Sequence, residues 1–269
     1  MDSLIILRSF ISKLVRQRYL VANFVLRDLR SRYVGSMMGI FWAVVHPLVL
    51  LTVYSLVFSS ILDIETRFPQ INNNFAVFLF CGLLPWLYFQ DTVLRACESI
   101  VQHGNLIRKT AFPSEILPLS IALSNLVTHL IGLAILLLVL AYFQTLGWAL
   151  LLLPLYWLLG GVFALGLGWI AAPLQVFVRD TSQLLSVVLT FWFWMTPIFY
   201  QLERVPEWLQ PWMAANPLRL VVEGYRAILI ENRLPDGQQV ALLAAFALGA
   251  FLAGGVIFRN TKRDFVDVL

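Results

Sequence analysis

Six stretches of this chain, at roughly 37–62, 75–98, 115–143, 149–173, 184–200 and 239–258, are long and apolar enough to cross a bilayer. A hydrocarbon core about 30 Å thick takes ~20 helical residues, with ~17 as the lower limit. A backbone inside hydrocarbon must satisfy its own N–H and C=O groups, which leaves only helices or closed barrels. A barrel would show alternating segments of about ten residues, whereas these runs are continuously apolar. The third block is long enough to tilt, and the fifth is the shortest. Only 13% of the residues are charged, against about a quarter in an ordinary soluble domain. The expectation is an all-α polytopic membrane protein with six transmembrane helices spread over 37–258. A region at 1–36 precedes them and a short tail at 259–269 follows.

Charge sets the orientation. Before the first block lie Arg8, Lys13, Arg16, Arg18, Arg27, Arg30 and Arg32, against only Asp2 and Asp28. Arg108 and Lys109, then Arg179, then Arg259, Lys262 and Arg263 fall on the same side of a six-span chain. The first opposite loop has only Arg67, beside Asp63 and Glu65. In 201–238, Arg204, Arg219, Arg226 and Arg233 are offset by Glu203, Glu207, Glu223, Glu231 and Asp236. The positive-inside rule therefore puts both termini in the cytoplasm. The net charge of +4 is a topology signal on this reading and not a nucleic-acid footprint. Cys81 and Cys97 are too few for a disulfide scaffold or metal site and read as small buried hydrophobes. The first apolar run, LIIL, is too short and lacks the cleavage site of a signal peptide.

Two further regions are amphipathic. In VANFVLRDLRSRY (21–33), Ala22, Leu26, Leu29 and Tyr33 share one helical face, Arg27 and Arg30 another, and Asp28 can pair with Arg32 at i,i+4. Such a helix would lie in the headgroup layer; the plainer alternative is a positive-inside flank. In 206–231, Asn216-Pro217 reads as an N-cap with proline at the first helical position. Beyond it, Arg219, Glu223 and Arg226 form a polar stripe opposite Leu220, Val221, Ala227 and Ile228. That pattern suits a short helix dipping into the outer leaflet, or a surface helix bridging two spans.

Catalytic chemistry is missing. There is no GK dipeptide for a phosphate-binding loop, no nucleophile elbow, and no paired-histidine zinc motif. His46, His103 and His129 are far apart in sequence. Asp91, Arg95 and Glu98 fall near the cytoplasmic end of the second span, where Asp91 and Arg95 can neutralise each other at i,i+4; lying deeper, they would be candidates for lining an internal polar path. No ladder of ionisable groups runs through the spans, which disfavours an ion-driven pump. A transporter without an engine needs a cytoplasmic handle, and NLIRKTAFPSEILPL (105–119) is suited to be one. Residues 104–112 are expected as a short polar helix stopped by Pro113. Ser114 then caps the next helix, Glu115 lies in its first turn, and Pro118 bends it.

Several ordered motifs resemble the transmembrane subunit of the ABC exporters for lipid-linked polysaccharides, the O-antigen, capsule and teichoic acid permeases. RDLRSRYVGSMMGIFWAVVHP (27–47) is similar to the N-terminal signature of that family, and FLFCGLLPWLYF (78–89) to its second-span motif. NLIRKTAFPSEILPL is similar to its inner-loop motif, and VFVRD (176–180), WMTPIFY (194–200) and ANP (215–217) follow in the family's order. The signature at 27–47 is most like the O-antigen type. The resemblance implies six spans with an N-terminal interface helix, a cytoplasmic coupling helix, and short outer gate helices between the last two spans. It implies a homodimer that binds two separate P-loop ATPase subunits, which would hold the ATP and Mg; this chain itself would carry no cofactor. Asn105, Arg108, Lys109, Phe112, Pro113 and Glu115 would form the coupling helix region. A polyprenyl-linked glycan would meet Arg27, Arg30, Arg32 and Tyr33 at its phosphate, with attraction to anionic lipids as the alternative role. Phe41, Trp42, Tyr54, Phe89, Trp192 and Tyr200 would line the glycan channel, unless they only pack or face lipid. Arg219, Glu223 and Arg226 would serve the outer gate. A permease of the same architecture for a drug or small lipid, and an intramembrane enzyme on a lipid-linked sugar, are the competing readings.

Overall fold

The computed structural model describes residues 17–32, 39–61, 66, 68–110, 112–200 and 205–269. In chain order the helices are α1 (Arg18–Ser31), α2 (Trp42–Tyr54, continued by a π-helical stretch Ser55–Ile61) and α3 (Phe75–Gln102). Then come α4 (Gly104–Lys109), α5 (Ile116–Tyr142), α6 (Leu153–Phe177, led by the 3-10 turn Trp148–Leu152) and α7 (Thr181–Met195). The last four are α8 (Gln210–Ala214), α9 (Pro217–Leu229), α10 (Gly237–Thr261) and α11 (Phe265–Val268). The protein is an all-α polytopic membrane protein.

Four of these helices are long and apolar enough to cross a bilayer: Phe75–Gln102, Ile116–Tyr142, Trp148–Phe177 and Gly237–Thr261. The expected first and fifth spans are shorter apolar helices, Trp42–Phe58 and Thr181–Met195. The fifth differs from the expected 184–200 for a local reason. Pro197 disfavours helical geometry at the residue before it, and Thr196 is extended at φ −98°, ψ 130°. The helix therefore stops at Met195, and Thr196–Tyr200 continues as bends.

α3 is the axis of the molecule. Most of its first twenty residues are buried, and α5, α6, α7 and α9 all pack on it. Its start is capped by Asn74, whose side chain accepts from Val77 N–H at 3.2 Å. α6 and α10 cross with almost no side chain between them. A Cβ on Gly166 would lie 2.5 Å from the Ala250–Phe251 backbone, and one on Gly254 would lie 2.2 Å from the Gly166 carbonyl oxygen. Small residues let membrane helices approach closely enough to gain dispersion energy that lipid would otherwise supply.

One end of the bundle gathers α1, α4, the α6–α7 turn and α11. A second apolar cluster holds them together through Ile107, Val176, Phe258 and Phe265, with Phe24, Phe112 and Leu269 packed against it. The opposite end carries α8, α9 and the broken end of α7.

Candidate functional site

At the α4 end the connection folds differently from its expected outline. α4 ends at Lys109, and Thr110 is already extended at φ −142°, ψ 152°, so the helix stops before Pro113. Asn105, Arg108 and Lys109 are exposed, while Ile107 is buried beneath them. Ser114 is buried but does not cap α5; Glu115 holds the N-cap position, without a side-chain cap bond. The Glu115 carboxylate instead accepts from Lys262 Nζ at 3.2 and 3.3 Å, tying this connection to the C-terminal tail. Pro118 is the third residue of α5, where a backbone N–H has no intrahelical acceptor to lose, so it causes no interruption. Phe112 lies against Phe24 of α1 at 5.2 Å between ring centroids. α4 is thus a charged, outward-facing segment seated on packed aromatic rings.

α1 is anchored by its ionic face. Val21 is buried and Phe24, Asp28 and Arg32 are half-buried, whereas Ala22, Leu26, Arg27 and Arg30 are exposed. Of the apolar stripe, Ala22 and Leu26 are exposed and Leu29 is half-buried, while Asp28 ties the helix to α3 and α5. Its carboxylate pairs with Arg32 at 3.1 Å, as the i,i+4 spacing suggested, and with Arg95 of α3. Ser124 of α5 donates to the same carboxylate. Arg95 is consequently not paired with Asp91. Asn125 closes the network: its carbonyl accepts from Arg95 (3.1 Å) and from Arg32, and its amide donates to Thr92 at 3.1 Å. Arg32 also donates to Ser124 at 3.1 Å and Thr128 at 3.4 Å. Of the expected phosphate-binding residues, Arg27 and Arg30 face outward, Arg32 is spent on this network, and Tyr33 lies outside the described residues.

The other end is built around α9. Asn216 caps it as expected, accepting from Leu218 N–H at 3.0 Å, with Pro217 in the first helical position. The same side chain reaches the broken end of α7. It accepts from Trp192 Nε1 at 2.9 Å and donates to Thr196 Oγ1 at 3.0 Å. Arg219 and Glu223 form an ion pair at 2.6 Å. Arg226, expected in the same stripe, is buried instead. Its guanidinium lies 3.6 Å from the Phe78 ring centroid and donates to the carbonyls of Pro197 (2.7 Å) and Ile198 (2.6 Å). Pro197 and its bend free these carbonyls from helical acceptance, and a guanidinium fork suits two of them at once. Beside it, the Tyr225 hydroxyl meets His129 Nε2 at 2.9 Å.

The expected channel aromatics divide. Phe41 and Trp42 are exposed on α2 and the turn before it, and Tyr54 is half-buried beside Phe58. Phe89 is 2% exposed, stacked on Phe163 and edge-on to Trp192, so it is core within this chain rather than a free channel face. Trp192 is half-buried with its N–H on Asn216, and Tyr200 donates to the Trp194 carbonyl at 2.7 Å. Sequence reasoning assigned Arg95 to Asp91 rather than Asp28, gave Lys262 no partner, and missed Ser124, Asn125 and the packing of α11. A signal for the first group was present: Ser120, Ser124, Asn125, Thr128 and His129 put polar groups on successive turns of an otherwise apolar span.

An outward-facing charged helix (α4), a helix held by an ionic network (α1) and a helix strapped to the end of α7 (α9) lie on one bundle, in a chain without a phosphate-binding motif. The family model for ABC-2 type transporters matches residues 19–230, a range that takes in all three features. The chain belongs to the ABC-2 type transporter family. Among curated relatives, the O-antigen export system permease protein RfbA of Myxococcus xanthus is 32% identical over 262 residues. That match covers 95% of this chain and 98% of the relative. The Klebsiella pneumoniae protein of the same description is 26% identical over 90% of this chain and 92% of its own length. The polysialic acid transport protein KpsM of Escherichia coli is 24% identical over 92% of this chain and 95% of its own. Members of the ABC-2 transporter family, this chain among them, are permeases, membrane pathways and not nucleotide hydrolases.

Proposed function

We propose that this chain is the permease subunit of an ATP-driven exporter. It moves a lipid-linked polysaccharide of the O-antigen type from the cytoplasmic to the periplasmic side of a bacterial inner membrane. The observation that carries this reading is the 32% identity to the Myxococcus xanthus O-antigen export permease over nearly the full length of both chains. The capsular alternative draws on the lower, equally long similarity to the polysialic acid transport protein.

On this reading the chain crosses six times. The four long helices are joined by α2 with its π-helical extension and by α7. At ~22 Å for 15 residues, α7 is completed by the bent Thr196–Tyr200 segment strapped to α9. The end bearing Arg27, Arg30, Arg108, Lys109, Arg179 and Lys262 is cytoplasmic, as the positive-inside rule asks. α4 is the coupling helix: Asn105, Arg108 and Lys109 face out toward an ATPase, and Phe112, Pro113 and Glu115 form the mount behind it. Two copies of the chain form the pathway and bind two P-loop ATPase subunits, which hold ATP and Mg. Arg27 and Arg30 are free to meet the carrier phosphate or anionic headgroups. Arg219, Glu223 and Arg226 organise the outer gate.

Deleting the gene tests the export reading: lipid-linked glycan should accumulate in the cytoplasmic leaflet while surface glycan disappears. Complementation with Arg108→Glu/Lys109→Glu should fail, with the permease still in the membrane but no longer co-purifying with the ATPase. Unchanged assembly and export in that double variant would remove α4 from the coupling role.

A further inference from the structure

A cavity of about 460 Å³ opens between α2, α3 and α5, within a single copy of the chain. Trp42, His46, Tyr88, Asp91, Asn125 and Thr128 are among its lining residues. Its size falls in the range of ligand pockets, roughly 300–1,000 Å³, and apolar walls with a few polar groups are their usual make-up. Asp91 lies well inside α3, about 16 Å from its C-terminal end at 1.5 Å per residue. It is exposed toward this cavity, and a carboxylate on a membrane-spanning helix is costly unless it serves a purpose. Its natural partner one turn on, Arg95, is taken by Asp28. Among the described residues no hydrogen bond or ion pair closes on Asp91; Arg32 and His46 are the cationic or protonatable groups whose field reaches it.

The polar inventory of the cavity is therefore specific. Asn125 is occupied at both ends by Arg95, Arg32 and Thr92, and His129 meets Tyr225 through Nε2 while its buried Nδ1 has no partner among the described residues. Asp91 and His46 remain beside that Nδ1, with the rings of Trp42 and Tyr88 in the same lining, and among the described residues no Arg or Lys lines the wall. A carboxylate takes two vicinal hydroxyls through charge-assisted hydrogen bonds. An imidazole accepts or donates one more, and a ring face covers the apolar C–H face of a sugar. A phosphate or uronate would meet the like charge of the Asp91 carboxylate, which repels a second anion.

We propose that this cavity is a subsite for one neutral or amine-bearing pyranose unit, held by Asp91 and His46 with its apolar face on an aromatic ring. The proposal rests on the polysaccharide-export reading and adds a selectivity to it: the anionic carrier head is kept out of this cavity. It also gives Asp91 a role that no hydrogen bond or ion pair among the described residues supplies.

The test uses the full permease–ATPase complex in lipid nanodiscs, with Cys81→Ala, Cys97→Ala and a reporter Leu50→Cys on the cavity wall. Labelling of the reporter by a methanethiosulfonate reagent is followed with methyl glucoside, glucosamine or glucuronic acid present in excess. Methyl glucoside and glucosamine should slow labelling and glucuronic acid should not. Asp91→Ala should weaken the protection about tenfold, the scale of a lost charge-assisted hydrogen bond, and His46→Gln should weaken it less. ATPase activity and assembly of each variant report that it is folded. Equal protection by glucuronic acid, protection that survives Asp91→Ala, or no protection at all overturns the subsite. The gene deletion judges the export reading separately: loss of surface glycan without sugar protection removes the subsite alone, and normal surface glycan removes the export reading.

Discussion

Arg226 is 6% exposed, yet it carries a full positive charge. It is held by the face of Phe78 and by two carbonyls that a proline has released from a helix. Removing the guanidinium leaves two buried carbonyls without a donor, which typically costs about 1–3 kcal/mol for each unsatisfied group. Arg226→Ala should therefore lower the thermal unfolding midpoint of the detergent-purified permease by several degrees. Arg226→Lys should recover little, since an ammonium cannot fork to Pro197 and Ile198 together. Full stability of either variant in a melting assay would show that the α9 strap lies elsewhere. In the sequence, Arg226 looks equivalent to Arg219 and Glu223, because a spacing of four and three residues puts all three on one stripe. Nothing local separates them. Phe78, almost 150 positions earlier, decides which one goes inside.

At the scale of elements, the α6–α10 crossing makes the sharpest claim. Gly166→Ala puts a methyl into the Ala250–Phe251 backbone, where no rotamer can move aside. Overpacking of that kind costs roughly 1–3 kcal/mol, and should appear as a lowered melting midpoint and loss of permease from the membrane fraction. Gly249→Ala and Gly255→Ala on the same helix meet nothing within 4 Å and should be neutral or slightly stabilising by the same assay. An equal effect at all of these positions would mean that helix propensity, not contact, governs them. Element types were legible because hydropathy blocks and an Asn-Pro cap are local signals. Boundaries were not: the expected fifth span runs to 200 although Pro197 ends α7 at Met195, and α4 ends at Lys109 without waiting for Pro113. α1 forms where its sequence says, and Arg95 and Ser124 from other helices tie it down through Asp28.

For the whole molecule, α1, α4 and α11 share one end of the bundle, and Lys262 reaches Glu115 across it. Both termini are then expected on the cytoplasmic side. Single cysteines at Arg27 and Arg263, in a background with Cys81→Ala and Cys97→Ala, should resist a membrane-impermeant thiol reagent in intact cells and react after lysis. Labelling of either in intact cells would reverse the orientation. A membrane fold and its charge bias follow from the sequence alone, because hydrophobic length and loop charge act over one span at a time, whereas two of the six apolar blocks form helices too short to qualify as long spans. The family resemblance in the ordered motifs is also carried by sequence, and it agrees with the ABC-2 transporter membership. Only the tertiary structure decides that Arg32 is a tether rather than a free cation, that Phe89 is core, and that Asp91 is left facing a cavity. Each of those outcomes depends on which partner, far away in the chain, arrives within hydrogen-bonding or ring-packing distance, and spacing along one helix carries no information about that.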